Sequence, residues 1–264
     1  MIIFLKLGGS LITDKFQPNT ALPSTISRIG LEISRALKAN KRIQLVLGHG
    51  SGSFGHAAAE EYGIGEAIER ESQWHGFQKV WSSAKNLNHI VVSELIQSGL
   101  PVISFPPSSA IITKDKKIIH WNTAPIERSI EHNLLPLIFG DVIFDEKRGG
   151  VILSTEALFQ ELAEKFKPDL ILLAGIEEGV WDDYKKKGKI LRSISPSSYQ
   201  TFLPKITSAN ASDVTGGMES KVKIMMKLIK KYPEIQARIF SGDQPGNIYK
   251  ALMGQKVGTL LISE

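Results

Sequence analysis

The sequence contains no cysteine in its 264 residues, which excludes disulfides, thiolate metal sites and thiol nucleophiles. A reducing compartment is compatible with that composition. Long apolar runs are missing too: no stretch nears the roughly 20 residues needed to cross a bilayer. The opening Met1-Ile-Ile-Phe-Leu run stops at Lys6 with no small-residue cleavage site behind it, so it reads as a first strand rather than a signal peptide. A soluble, cytoplasmic protein without membrane insertion is the expectation. The charge excess is small, +5, and no basic stripe interleaved with aromatics accompanies it, which argues against nucleic acid. Lys185, Lys186 and Lys187 lie beside Asp182 and Asp183, ahead of Gly188, and read as a solvated hairpin tip. The P-loop pattern G-x-x-x-x-G-K-[ST], the H-R-D and D-F-G pair of protein kinases and the H-E-x-x-H zinc motif are all absent. The six histidines show no paired metal spacing.

What is present is an alternation of short apolar runs with amphipathic segments. Strands are expected at Ile2–Leu7, Ile43–Leu47, Pro101–Phe105, Leu135–Phe139, Leu170–Ala174, Ala237–Ser241 and Thr259–Ile262. Helices are expected at Ser24–Ala39, Glu69–Gln97, Thr155–Phe166, Met218–Lys231 and Asn247–Met253. That order predicts an α/β fold with a mostly parallel sheet and helices on both faces. Lys117–Trp121, Val142–Phe144 and Val151–Leu153 look like hairpin strands, the last introduced by Gly149-Gly150. In the first long helix, Ser24 and Thr25 are suitable N-caps, and Ile26, Ile29, Ile33 and Leu37 form an apolar stripe. The length fits one large domain, or two lobes sharing a sheet with a boundary near Gly149–Thr155.

Ligand sites in open α/β sheets lie outside the carboxyl ends of the strands, and three turns there are rich in glycine. Lys6-Leu7-Gly8-Gly9-Ser10 follows the first strand; its glycines let the backbone approach a ligand, its N–H groups can cradle phosphate oxygens, and Lys6 and Lys15 add charge. A tight turn with two surface lysines is the bland alternative. Gly48-His49-Gly50-Ser51-Gly52-Ser53-Phe54-Gly55-His56 follows the second strand. Gly50, Gly52 and Gly55 spell the dinucleotide pattern G-x-G-x-x-G, with Glu69 and Glu71 near the place of a ribose-binding acid. That pattern normally sits on the first strand of its domain. The loop also nearly makes a G-x-S-x-G nucleophile elbow at Ser53, but Ser51 stands where the first glycine is needed. His56 closes the loop at a helix start, where an anion is favoured. The third turn, Asp213-Val214-Thr215-Gly216-Gly217-Met218-Glu219-Ser220-Lys221, opens a helix with an ammonium one turn in.

Lys6–Ser10, the His49–His56 loop, Gly140-Asp141-Val142, Ala174–Val180 and Asp213–Lys221 occur in the order seen in the amino-acid kinase superfamily, and the resemblance covers essentially the whole chain. Ser-Phe-Gly-His at the end of the second loop, and Lys15 within Ile12-Thr13-Asp14-Lys15, resemble the isopentenyl phosphate kinase family, with fosfomycin kinases nearby. The resemblance implies an open αβα sandwich, with an acceptor-binding lobe at about 1–150 and an ATP-binding lobe at about 151–264. It implies ATP and Mg²⁺, the ion held mainly through the phosphates, with no protein metal site. It also implies a small phosphate acceptor and a homodimer.

By matching, Lys6, Lys15, His56, Asp141 and Lys221 carry catalysis, His56 binding the acceptor phosphate and Asp141 positioning Lys6. Gly50, Ser51, Gly52, Gly140 and Thr155 join His56 on the acceptor. Gly8, Gly9, Ser10, Gly52, Gly175, Gly179, Gly216 and Gly217 join Lys6 and Lys221 on ATP. Ser51 replaces a family glycine, and Ser154-Thr155-Glu156 replaces a usual Ser-Gly-Asp. An acceptor phosphate is already largely ionised near neutral pH, its second pKa being about 6, so no general base is required. Trp74, Phe77, Val80 and Trp81 could line a pocket for an isoprenoid tail, or pack the core. Other phosphonate, phosphate or carboxylate acceptors, and a nucleotide- or NAD(P)-binding protein built on Gly50–Gly55, are the competing readings.

Overall fold

The computed structural model describes residues 1–64, 67–68, 70–183, 188–207 and 217–264, without the side chains of 56–58 and 203–207. Glu69, the Lys185–Lys187 run and the turn from Asp213 to Gly216 lie outside the described residues.

β1 (Ile2–Leu7) is a run of apolar residues broken only by Lys6, as expected of a strand covered on both faces. It pairs in parallel with β2 (Gln44–His49) on one side and β9 (Leu170–Gly175) on the other. Around it lies an eight-stranded sheet in the order β10-β12-β11-β9-β1-β2-β6-β3, with β3 at Val102–Ser104, β6 at Leu135–Phe139, β10 at Ser193–Ile194, β11 at Gln236–Ser241 and β12 at Thr259–Leu261. Among the described residues of this sheet, only the β11–β12 pair is antiparallel. The mostly parallel sheet is therefore as the alternation implied.

Side chains alternate between the faces of a strand. Ile3, Leu5 and Leu7 of β1 pack beneath α2 (Pro23–Ala39), α4 (Glu71–Gln97) and α9 (Asn247–Leu252). Phe4 goes the other way, beneath α6 (Thr155–Phe166) and α8 (Gly217–Lys231), with its ring 5.0 Å from that of Phe159. The same alternation puts Lys6 on the α6–α8 face, at the carboxyl end of the strand. In α2 the stripe Ile26, Ile29 and Ile33 is fully buried as expected. Its start differs: Pro23 is at the first turn and Leu22 is the N-cap without a side-chain bond, so Ser24 and Thr25 lie inside the helix. The fixed φ of proline, with no N–H to satisfy, starts the helix instead.

The hairpin segments form a second sheet, β5-β4-β7-β8, from Lys117–Trp121, Ile111–Lys114, Asp141–Asp145 and Gly149–Leu153. Asp145 joins its two turns by accepting backbone N–H groups from Asp115, Lys116, Lys147 and Arg148. β4, β10, α5 (Ala124–Glu131) and α7 (Pro196–Thr207) were not expected from the sequence pattern.

Phe159 is fully buried against Phe4. Phe159→Ala should lower unfolding free energy by about 3–5 kcal/mol, measured by urea denaturation; a loss below about 1 kcal/mol would contradict this packing.

Candidate active site

The glycine turns after β1 and β2 touch through their backbones. A Cβ at Gly9 would lie 2.2 Å from the Gly52 nitrogen and 2.5 Å from its Cα, so no side chain fits there. Gly52 has φ +52, a left-handed conformation, and Ser51 before it is right-handed helical at φ −77, ψ −21. A right-handed residue followed by a left-handed one turns successive N–H groups to one side, making a nest for an anion. Ser51 needs no positive φ, so a serine is accommodated where the family has glycine.

The N–H groups of Gly9, Ser10, Ser51 and Gly52 have no protein acceptor among the described residues, while their neighbours are committed. Gly8 N–H donates to the Ala174 carbonyl at 2.7 Å, Gly50 N–H to Leu7 at 3.0 Å and Ser53 N–H to the Thr13 hydroxyl at 3.0 Å. Unpaired donors in contact loops are what a phosphate needs. Gly8 also brings the first turn onto Ala174-Gly175 at the end of β9, where Gly175 faces open space. Gly179 serves close packing instead, since a Cβ there would lie 2.7 Å from the Thr259 hydroxyl.

Lys6 sits beside this nest, its Nζ 3.7 Å from where a Gly50 Cβ would be. It is 6% exposed, and Nζ pairs with Glu156 Oε1 at 2.5 Å. Glu156 lies in the first turn of α6, where the helix dipole favours a negative charge. Burial pushes its carboxyl up, but the charges of Lys6 and Lys221 outweigh that and hold it below the ordinary value. Glu156 is thus an ionised group between two lysines, one from β1 and one from α8.

The carboxylate expected to position Lys6 was Asp141, and that expectation is corrected. Asp141 accepts N–H bonds from Ser108 at 3.1 Å and Val142 at 2.9 Å, and Lys6 bonds to Glu156 alone among the described residues. Glu156 escapes notice in the sequence because it shows there only as a departure from a family pattern. Thr155 and Gly140 meet inside the protein: the Thr155 hydroxyl donates to the His49 carbonyl at 2.6 Å, and Gly140 N–H to the same oxygen at 3.2 Å. Both therefore brace the second loop from behind.

Lys15 is exposed on the 14–20 segment, without an ion-pair partner among the described residues. The Thr13–Ala21 bridge closes that segment, and Asn19 N–H ties it to the Ser53 carbonyl of the second loop. His56 begins α3 (His56–Glu61), its side chain outside the described residues. Gly217 starts α8 with φ +51, and Gly216 is outside the described residues. Beside α3, Phe77 and Val80 are buried with Val142, and Trp81 is partly buried. Trp74 remains 40% exposed and Phe144 48% exposed, the two rings 6.0 Å apart. Phe144 was not among the expected pocket residues, because it lies in a hairpin strand far along the chain from the helix that carries Trp74 and Phe77.

A side chain at Gly52 would meet the Thr13 hydroxyl and the Gly9 carbonyl as well as an unfavourable φ. Gly52→Ala should reduce kcat/KM for the phosphate donor about 100-fold, by steady-state kinetics; an unchanged value would contradict the nest.

Two buried groups set opposite pH dependences. Burial raises Asp141 to about 6, against hydrogen bonds from Ser108 and Val142. Its native form holds a proton that the unfolded chain releases, so its stabilising effect is lost as pH rises from about 4 to about 6. Burial lowers His49 to about 4, with the Gly50 hydrogen bond opposing and the Lys6 charge assisting. Its native form refuses a proton that the unfolded chain takes, so stability falls as pH drops from about 6.5 to about 4. Each effect is about 3 kcal/mol, and they offset each other. Asp141→Asn should unmask the histidine term, losing about 2–3 kcal/mol between pH 6.5 and 4 relative to the wild type. Urea denaturation across that range measures it, and parallel wild-type and variant curves would contradict it.

The amino acid kinase family profile matches residues 1–241. Isopentenyl phosphate kinase of Methanocaldococcus jannaschii is 34% identical over 98% of both chains. That of Methanothermobacter thermautotrophicus is 32% identical over 97% of both. An X-ray structure of isopentenyl phosphate kinase superposes with a TM-score of 0.82 at 29% identity, covering 99% of this chain and 100% of the other. These full-length likenesses do not favour a dinucleotide-binding reading of Gly50–Gly55. The chain belongs to the amino acid kinase family, in its isopentenyl phosphate kinase branch.

Proposed function

We propose that this protein transfers the γ-phosphoryl group of ATP directly to isopentenyl phosphate, giving isopentenyl diphosphate and ADP. The observation that carries the reading is the nest of Ser51 and Gly52 against Gly9, with the buried Lys6 ammonium beside it. Full-length relatives named for that acceptor supply the choice of substrate.

The physical problem is bringing two anions together. Phosphoryl transfer is achieved mainly by positioning and charge neutralisation. Lys6 bridges the acceptor phosphate and the γ-phosphate, its ammonium held in place by Glu156. Lys221 takes the β- and γ-phosphates from the α8 side, and Lys15 reaches the transferring group from its exposed segment. His56 orients the acceptor from the start of α3, and the half-exposed rings of Trp74 and Phe144 are available for the apolar tail. No group of three His, Asp or Glu side chains among the described residues could cage a metal. Mg²⁺ fits as an ion carried on the phosphates, neutralising their oxygens. Residues 1–150 take the acceptor and residues 151–264 the nucleotide. A cytoplasmic homodimer completes the reading, on the strength of the family resemblance.

Isopentenyl phosphate, dimethylallyl phosphate and fosfomycin offered in parallel with ATP test the acceptor. Phosphorus NMR should show a new diphosphate from isopentenyl phosphate; turnover of fosfomycin alone would overturn the assignment. For Lys6, removing one partner would strand a buried charge at about 3–5 kcal/mol. The paired variant Lys6→Met with Glu156→Gln avoids that. It should stay folded by circular dichroism and lose about 100- to 1000-fold in kcat; near-normal turnover would contradict the role of Lys6.

A further inference from the structure

His49, the last residue of β2, has no part in the roles given above. It is 1% exposed, its ring stacked on Phe139 with centroids 5.3 Å apart and planes 7° apart. A ring that merely fills space needs no polar partners, yet both of its nitrogens have one. Nδ1 is 3.1 Å from the Gly50 carbonyl oxygen, and Nε2 is 3.1 Å from the Asn88 amide nitrogen. The Ser104 hydroxyl donates to Asn88 Oδ1 at 2.8 Å. Burial keeps the ring neutral, so one nitrogen alone carries a proton. A carbonyl oxygen can only accept, which places that proton on Nδ1. Nε2 then accepts from the Asn88 amide, whose orientation Ser104 fixes by occupying its oxygen.

The consequence falls on the Gly50–Ser51 peptide. It is trans, and in a trans peptide the C=O and N–H point in opposite directions. Drawing the Gly50 carbonyl inward aims the Ser51 N–H outward, into the nest with Gly52. We infer that His49 is a positioning residue for phosphoryl transfer: its Nδ1–H orients the Ser51–Gly52 nest toward the transferring phosphate, and Asn88 and Ser104 hold the ring in the tautomer that can do so. This rests on the kinase reading above, but not on the identity of the acceptor.

Two substitutions separate positioning from filling. His49→Phe keeps the ring volume and the stack but has no donor. His49→Asn loses the stack but places an amide N–H near the position of Nδ1. Positioning requires activity and stability to rank in opposite order. His49→Phe should have the higher thermal midpoint and a kcat/KM for ATP reduced about 100-fold, with His49→Asn retained within about tenfold of wild type. ATP affinity by calorimetry without acceptor should follow the same order as activity. His49→Phe matching or exceeding His49→Asn in both would overturn the inference. Nitrogen-15 NMR of the wild type needs no variant: an Nδ1–H ring for His49 is expected, and an Nε2–H ring would overturn it. If the wild type bound ATP in this pattern yet left isopentenyl phosphate untouched, the acceptor assignment alone would fail.

Discussion

The Lys6–Glu156 ion pair joins the first strand to the sixth helix inside the protein, and each charge is tolerable there because of the other. The Lys6 charge holds the Glu156 carboxyl below its ordinary value, and Lys221 adds a second positive neighbour. Strand alternation sets this up. Phe4 and Lys6 share a face, so the strand that anchors the α6–α8 core also delivers an ammonium to its carboxyl end. The core and the chemistry therefore occupy successive positions on one face of one strand.

Around that charge the backbone supplies the remaining attraction. Gly9 and Gly52 meet at a distance no side chain permits, and the left-handed Gly52 turns its N–H beside that of Ser51. Main-chain donors do not titrate, and a nest braced from behind by Thr155, Gly140 and His49 does not have to reorganise during the reaction. Preorganised donors of this kind are the usual source of the largest stabilisation in such reactions. The arrangement offers positive potential and fixed geometry. It has no need of a protein nucleophile or base, since the acceptor oxygen is itself an anion.

Much of this was legible in the sequence, for definite reasons. The stripe Ile26, Ile29, Ile33 and the apolar run of β1 carry the 3.6- and two-residue periods that burial imposes. Pairs such as Gly8-Gly9 stand out because glycine is unfavourable wherever a side chain is allowed. Glu156 was not legible: locally it is an ordinary acid in a helix first turn, and its partner is 150 positions away. Asp141 drew attention instead through the resemblance, because Gly140-Asp141-Val142 matches a family pattern. The literal G-x-G-x-x-G was misleading because its glycines serve unrelated ends. Gly52 needs a left-handed φ, Gly50 clears Gly9 and Lys6, and Gly55 packs close to Ser51. His49, between two glycines, read as part of the turn rather than as its support. Phe144 was hidden because it lies in a separate hairpin strand and meets Trp74 and Phe77 only in the folded protein.

Direct transfer between two anions inside one cradle is the claim on which the rest depends. ATP made chiral at the γ-phosphorus with oxygen isotopes, turned over with isopentenyl phosphate, reports it in the configuration of the product. Inversion is expected for a single in-line displacement. Retention would require a phosphorylated enzyme intermediate and would contradict a site that works by charge and geometry alone.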